Sequence, residues 1–371
     1  MVLGAILEGP GKIRIKDFEK FTPDGSILLK VGAAGVCGTD VHNFSNSSSI
    51  NPYPFIMGHE VSGTIEAIGE HCKVNSYQKF KVGDRVTVTP MVGCQECYYC
   101  KTFPHVVNYC PNRKAIGVGA FRDPPYLFGG FAENMVVPAN FWIHKLPDDM
   151  PLDVGALAEP LAVAIHGLGR AAGSGSPYFQ GNIGINTSVV IQGCGPIGIL
   201  VAAAAKFSGA TVVVLDRLLE RLKMAEKIGV TDETIDVSKM TDAELISVVK
   251  KMHHGGGPDI VVEATGEPDA VRVGIMLPRR GGKYIELGNA VDGKEIRIRP
   301  DYICRNYLEI LGSVLAPAHE YPKAIHMLSS SEFPLSKIIT HKFKLVETEA
   351  ALMNASARHG VKSMVIPNKD R

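Results

Sequence analysis

The sequence predicts an α/β protein. A doubly wound parallel sheet occupies the middle of the chain, and mostly antiparallel β-structure surrounds it. Three observations predict this. Apolar, strand-like runs alternate with helical stretches from about residue 160 to 316. A turn of the form Gly193-x-Gly195-x-x-Gly198 stands between the first of these runs and the helix after it. Before about residue 155, the chain instead breaks into short alternating runs with Gly and Pro between them.

The N-terminal part comes first. "SILLKVGAAG", "EVSGTIEAIGE" and "DRVTVTP" alternate in the manner of strands with tight turns. In the middle, "SVVIQG", "TVVVLD", "PDIVVEATG" and "GKYIELG" are continuous apolar runs, as expected of parallel strands covered on both faces. Between them, "GILVAAAAKFSG" is apolar nearly all round, while "RLLERLKMAEKIG" exposes Arg217, Glu220 and Arg221. Residues 171–188 read as a loop, and the tail from about 320 returns to mixed helix and strand.

The totals restrict the function. A chain of 371 residues exceeds one ordinary core and predicts two domains. Net charge is +1 with no long basic block, so neither nucleic acid nor a membrane surface is expected as a partner. The first apolar run is broken by Glu8, Gly9 and Pro10, so no signal peptide is read there. The uncharged span Ala171–Ala205 is too rich in Gly, Pro, Asn and Ser to cross lipid. A cytoplasmic location follows as the expectation.

The glycine turn carries the first chemistry. Gly193 permits a tight turn, Gly195 lets backbone approach a pyrophosphate, and Gly198 lets helix and strand pack closely. Pro196 and Ile197 open the helix, whose unpaired amides would face the phosphates. Asp216 ends the second strand, 18 residues after Gly198. A carboxylate there accepts from an adenosine ribose and repels a 2′-phosphate, which favours NAD over NADP. Arg217 beside it works the other way.

Cysteine carries the second. Cys94, Cys97, Cys100 and Cys110 are spaced C-x2-C-x2-C-x9-C, and four thiolates make a closed tetrahedral shell. A structural zinc is expected, with an iron–sulfur cluster as the rival; its fourth cysteine follows at a shorter gap. The third is "MGHE". His59 and Glu60 stand in an otherwise apolar stretch, and Cys37 opens "CGTDVH" some twenty residues earlier. A sulfur, an imidazole and a carboxylate suit a zinc with one open position.

These residues together resemble the zinc-dependent medium-chain alcohol and polyol dehydrogenases. "GHEVSGTIEAIG" is similar to that family's zinc signature, supported by "CGTDVH", the cysteine cluster, "QGCGPIG" and "VEATG". Glu159 in "LAEPLAVAIHG" points to the sorbitol, threonine and butanediol dehydrogenase branch. The cysteine cluster's last gap is longer than usual there, as is the loop before the nucleotide-binding strand. The resemblance implies a GroES-like catalytic domain from residues 1–158 and 318–371, with a Rossmann domain, 159–317, inserted and an active cleft between them. It implies a catalytic zinc on Cys37 and His59, with Glu60, Glu159 or both completing the shell. It gives Thr39 a hydrogen bond to the substrate oxygen, His42 a proton relay, and Asp40 the orienting of His59. Thr265, Gly266, Leu287, Gly288 and Asn289 would lie near the nicotinamide, and Arg221 near the adenosine.

The expected activity is reversible, NAD-linked oxidation of a secondary alcohol or polyol to the ketone by a homodimer or homotetramer. Some of Phe121, Tyr126, Phe128 and Phe131 are expected to wall a cleft for a bulkier alcohol, with core packing as their other use. A non-catalytic NAD-binding protein with structural zinc only is the alternative.

Overall fold

A computed structural model describes residues 1–45, 53–121, 124, 126–172, 183–288, 294–330 and 332–368, with the side chains of 253–255 excepted. The chain divides into two units. One comprises 1–162, 316–330 and 335–371; the other comprises 163–315 with 331–334.

The first unit is built on strand Ser26–Gly35, which is buried along nearly its whole length. It pairs antiparallel with Glu60–Ile68 on one side. It also pairs antiparallel with Asn134–Pro138 and with Lys362–Ile366, from the chain's last stretch. The Lys362–Ile366 strand runs parallel to Ile339–Lys344, so the tail extends a sheet begun at the N-terminus. Three registers matter for the site. Gly35 stands opposite Glu60 and also opposite Met364. Val36 then donates to the Ser363 carbonyl at 3.0 Å, which brings Cys37 beside Lys362. The sheet end therefore collects three residues that are distant in sequence. A second, three-stranded sheet orders Lys12–Phe18, Val2–Gly9 and Phe55–Ile56.

Phe131 lies fully buried in this unit's core, with Phe121, Tyr126 and Phe128 packed against it. Phe121 stacks on Phe128 with centroids 4.8 Å apart, and Phe18 meets Tyr126 edge-on at 6.3 Å. Phe131 thus has the core-packing use, and the other three rings lie partly buried at the core's edge, since large apolar rings gain most by leaving water.

The second unit holds six parallel strands. Their order is Glu233–Asp236, Thr211–Asp216, Ser188–Gln192, Ile260–Glu263, Lys283–Glu286, Glu309–Gly312. Numbered by sequence this is 3-2-1-4-5-6, so the winding reverses beside Ser188–Gln192, where such sheets bind ligands. Helix Pro196–Phe207 buries every residue from Gly198 to Ala205, as its all-round apolar sequence requires. Helix Asp242–Gly255 opens with a capping box between Thr241 and Glu244. The run Leu152–Ala172 is long and apolar enough to cross a membrane, but 67% of its apolar window is buried inside the protein, as in a core helix.

Candidate active site and metal centres

Cys37, His59 and Glu60 bring their ligand atoms within 4.8 Å of one another. Cys37 is half-buried, and the other two are buried. Asp40 ties the segments that carry them. Its carboxylate accepts from the Cys37 amide at 2.9 Å and from the Gly58 amide at 3.4 Å, and Oδ1 faces His59 Nδ1 at 3.7 Å. Asp40 is wholly buried, and burial raises its pKa. Thr39 is exposed in the first turn of helix Gly38–Ser45, with its hydroxyl 3.8 Å from the Cys37 sulfur. His42 lies one turn further and is half-buried.

One member of this cluster was missed in the sequence. Lys362 is 2% exposed, donates to the Val36 carbonyl at 2.9 Å and forms an ion pair with Glu60. Burial works against its charge, yet Glu60 and Cys37 raise its pKa overall. Glu159, in the first turn of helix Ala158–Ala172, is buried nearby. Burial raises its pKa to about 7, opposed by His59 and Lys362 and assisted by Glu60 and Asp40. His59 is raised well above the ordinary histidine value. Burial opposes this, but Asp40, Cys37 and Glu159 outweigh it. Three carboxyl groups and one thiol thus surround one imidazole and one ammonium. His59 Nδ1 has no hydrogen-bond partner although it is buried. A thiol, an imidazole and a carboxylate gathered in a pocket rich in acidic groups fit a divalent cation. The three-residue ligand group includes Glu60 and leaves Glu159 outside it.

Cys94, Cys97, Cys100 and Cys110 form a second group within 4.8 Å. None is in a disulfide. Cys97 Sγ is 3.8 Å from Cys110 Sγ, and Cys110 Sγ is 3.6 Å from Cys94 Sγ. The amide of Cys94 donates to Cys110 Sγ at 3.3 Å, and that of Cys97 donates to Cys94 Sγ at 3.4 Å. Amides of Glu96 and Cys97 draw the Cys94 pKa down to about 6, while burial pushes Cys100 up to about 12. Amide donors aimed at crowded sulfurs are what a tetrathiolate metal site needs, and no sulfur is left over as an open position.

In the second unit, strand Ser188–Gln192 ends in the glycine turn. Gly193 has φ +97, a left-handed conformation suited to glycine. A Cβ on Gly198 would overlap the Gly193 carbonyl oxygen, which explains the close helix packing. Gly195 caps the helix, Pro196 takes its first position, where no amide is missed, and Ile197 follows. Asp216 accepts from the Cys194 amide at 2.6 Å and the Leu218 amide at 2.8 Å, so it braces this turn. Arg217 is exposed. Arg221, expected on an exposed face, is half-buried, with Nη1 3.5 Å from where a Gly195 Cβ would stand. Thr265 and Gly266 follow strand Ile260–Glu263, and both amides donate to Glu263. Leu287 and Gly288 follow Lys283–Glu286; Asn289 lies outside the described residues.

The sequence matches the family of the alcohol dehydrogenase GroES-like domain over residues 23–148 and that of the zinc-binding dehydrogenases over 196–330. It is 30% identical to a D-arabitol-phosphate dehydrogenase of Enterococcus avium, over 99% of this chain and 98% of that protein. It is 31% identical to a sorbitol dehydrogenase of Bacillus subtilis, over 98% and 97%. An alcohol dehydrogenase structure from Thermotoga maritima superposes with a TM-score of 0.90 at 30% identity, covering 99% of each chain.

Proposed function

The chain belongs to the zinc-binding medium-chain alcohol dehydrogenases, oxidoreductases acting on CH–OH groups, and on that premise we propose that its substrate is a secondary hydroxyl of a polyol, oxidised with NAD. The observation that carries this is the convergence of Cys37, His59 and Glu60 in one buried group. These three would hold the catalytic zinc, and the four cysteines would hold a structural one. The catalytic zinc would supply a Lewis acid that eases loss of the hydroxyl proton. NAD, held by the glycine turn, would supply the hydride acceptor.

The chain's own residues do the rest. Asp40 locks the Cys37 and Gly58 backbones, which fixes the spacing of the ligands. Thr39, exposed beside the Cys37 sulfur, hydrogen-bonds the substrate oxygen and hands its own proton on as it accepts the substrate's. His42, one helical turn on, relays a proton to water. Lys362 offsets the charge of Glu60. The reaction would balance with a hydride passed to the nicotinamide and a proton to solvent, leaving the ketone. Gly193, Gly195 and Gly198 seat the diphosphate, while Asp216 and Arg221 face the adenosine half. Thr265, Gly266, Leu287 and Gly288 face the nicotinamide half. A homodimeric or homotetrameric, cytoplasmic enzyme completes this reading.

Metal content and an alcohol panel on one sample test it. The expected result is two zincs per chain, NAD-linked oxidation of sorbitol-like polyols, and loss of that activity in a folded Cys37→Ser variant. One zinc per chain with an inert wild type would point instead to a non-catalytic dinucleotide-binding protein.

A further inference from the structure

His59 stands in a gap between two strands. Phe55–Ile56 ends before it and Glu60–Ile68 begins after it, so the peptides of Met57, Gly58 and His59 lie outside the sheet ladders. Buried backbone groups still need partners. The Gly58 amide donates to Asp40 Oδ1 at 3.4 Å. The Gly58 carbonyl accepts from the Gly130 amide at 2.8 Å, and the Met57 carbonyl accepts from the Phe131 amide at 2.9 Å. A segment distant in sequence thus supplies the partners that a neighbouring strand would.

That segment comes close because it carries no side chains where it touches. A Cβ on Gly117 would stand 2.2 Å from the Gly58 carbonyl oxygen, 2.6 Å from the Gly58 carbonyl carbon and 3.0 Å from the His59 nitrogen. Gly117 therefore lies directly against the peptide bond that leads into His59. A Cβ on Gly129 would stand 2.1 Å from the Ile56 carbonyl oxygen and 2.6 Å from that of Met57. One on Gly130 would meet Val61 Cγ2 at 2.4 Å and the Gly58 oxygen at 3.3 Å. The Gly117 amide donates to the Phe128 carbonyl at 2.6 Å, which joins the two sides of this seam. Gly58, Gly117, Gly129 and Gly130 are all buried.

We propose that Gly117 and Gly130 are positioning residues for the catalytic centre: their bare backbone fixes where the His59 peptide lies, and with it where the imidazole meets the metal. This rests on the zinc reading above. His59 and Glu60 are consecutive, so displacing one peptide moves two members of the ligand group. A methyl group on Gly117 has no soft neighbour to push aside, because the three atoms it would meet are all backbone. It must shift the Gly58–His59 peptide, or withdraw the Gly117 segment and stretch its hydrogen bond to Phe128. Metal–ligand distances hold to about 0.2 Å, so either response weakens the centre.

Chelator competition on the metal-loaded full chain tests this, with cobalt at the Cys37, His59 and Glu60 centre for its visible spectrum and zinc at the four cysteines. Gly117→Ala should lose roughly tenfold or more in affinity at the first centre and shift the cobalt bands, with the four-cysteine centre still loaded. Gly83→Ala is the control. Gly83 has φ +95 and Gly117 φ +72, so both resist a side chain, but a Cβ on Gly83 would meet nothing within 4 Å. Gly83→Ala should keep both metals and wild-type bands. Equal losses in the two variants reduce the effect to general destabilisation and overturn the proposal, as does wild-type affinity in folded Gly117→Ala. Gly130→Ala is the gentler variant and should lose affinity several-fold. It decides the matter where Gly117→Ala does not fold, and normal metal retention there also overturns the proposal. A wild type that binds metal only at the four cysteines sinks the catalytic-zinc reading and the positioning role together. Two metals in the wild type, with both seam variants indifferent, sink the positioning role alone.

Discussion

Lys362 makes Glu60 tolerable before any metal arrives, and this gives a measurable expectation. Removing one partner of a buried ion pair leaves an uncompensated charge and costs about 3–5 kcal/mol. Lys362→Met should destabilise metal-free protein by that order in denaturant titration. Lys362→Met with Glu60→Leu should recover most of the loss. His144 offers a second. Its Nε2 lies 2.9 Å from the Thr89 hydroxyl oxygen, and its ring stacks on Tyr321 at 4.7 Å. Burial lowers its pKa to about 4. The unfolded chain then takes up a proton before the folded one does, so stability is lost as pH falls from about 6.5 towards about 4. Each pKa unit is worth about 1.4 kcal/mol, which makes the loss about 3 kcal/mol. Metal-free His144→Gln should melt with a flatter acid limb than metal-free wild type. Cys37, His59 and Glu60 were legible because ligand-type residues stand out against an apolar background. Lys362 was not legible. It lies 326 residues from the Val36 carbonyl it binds, and nothing local distinguishes it from a surface lysine.

At the scale of elements, the cysteine loop depends on chemistry more than packing. Its helix Tyr98–Thr102 buries nothing, and Tyr98, Tyr99, Phe103 and Tyr109 are all exposed. Without metal, little apolar burial would order it. Cys100→Ser should therefore drop zinc from two to one per chain and open residues 94–110 to protease, with both sheets intact by circular dichroism. The spacing of these cysteines was readable because chelation is local. The glycine turn was readable for the same reason: strand, turn and helix are contiguous. The aromatic segment was not. Rings suit a cleft wall and a core equally well, and only tertiary contacts placed Phe131 inside.

For the whole molecule, the first unit is discontinuous in sequence. Strand Lys362–Ile366 lies between Ser26–Gly35 and Ile339–Lys344 in the sheet. A chain ending at residue 360 would lose that strand, strand Ile339–Lys344 would lose its place in the sheet, and Glu60 would lose its cation. Such a truncation should leave the first unit unfolded while the 163–315 sheet still forms, a difference that hydrogen exchange resolves by segment. The parallel sheet, drawn from one continuous stretch, was the easier half to read, because alternating strands and helices along the chain are also neighbours in space. The same arrangement sets an order on the ribosome. Translation delivers the cysteine loop, the GHE segment and the entire dinucleotide-type sheet before it delivers Lys362. Until strand Lys362–Ile366 has joined, the first unit lacks the strand that completes its sheet, so the anionic side chains gather together with their ammonium and not ahead of it.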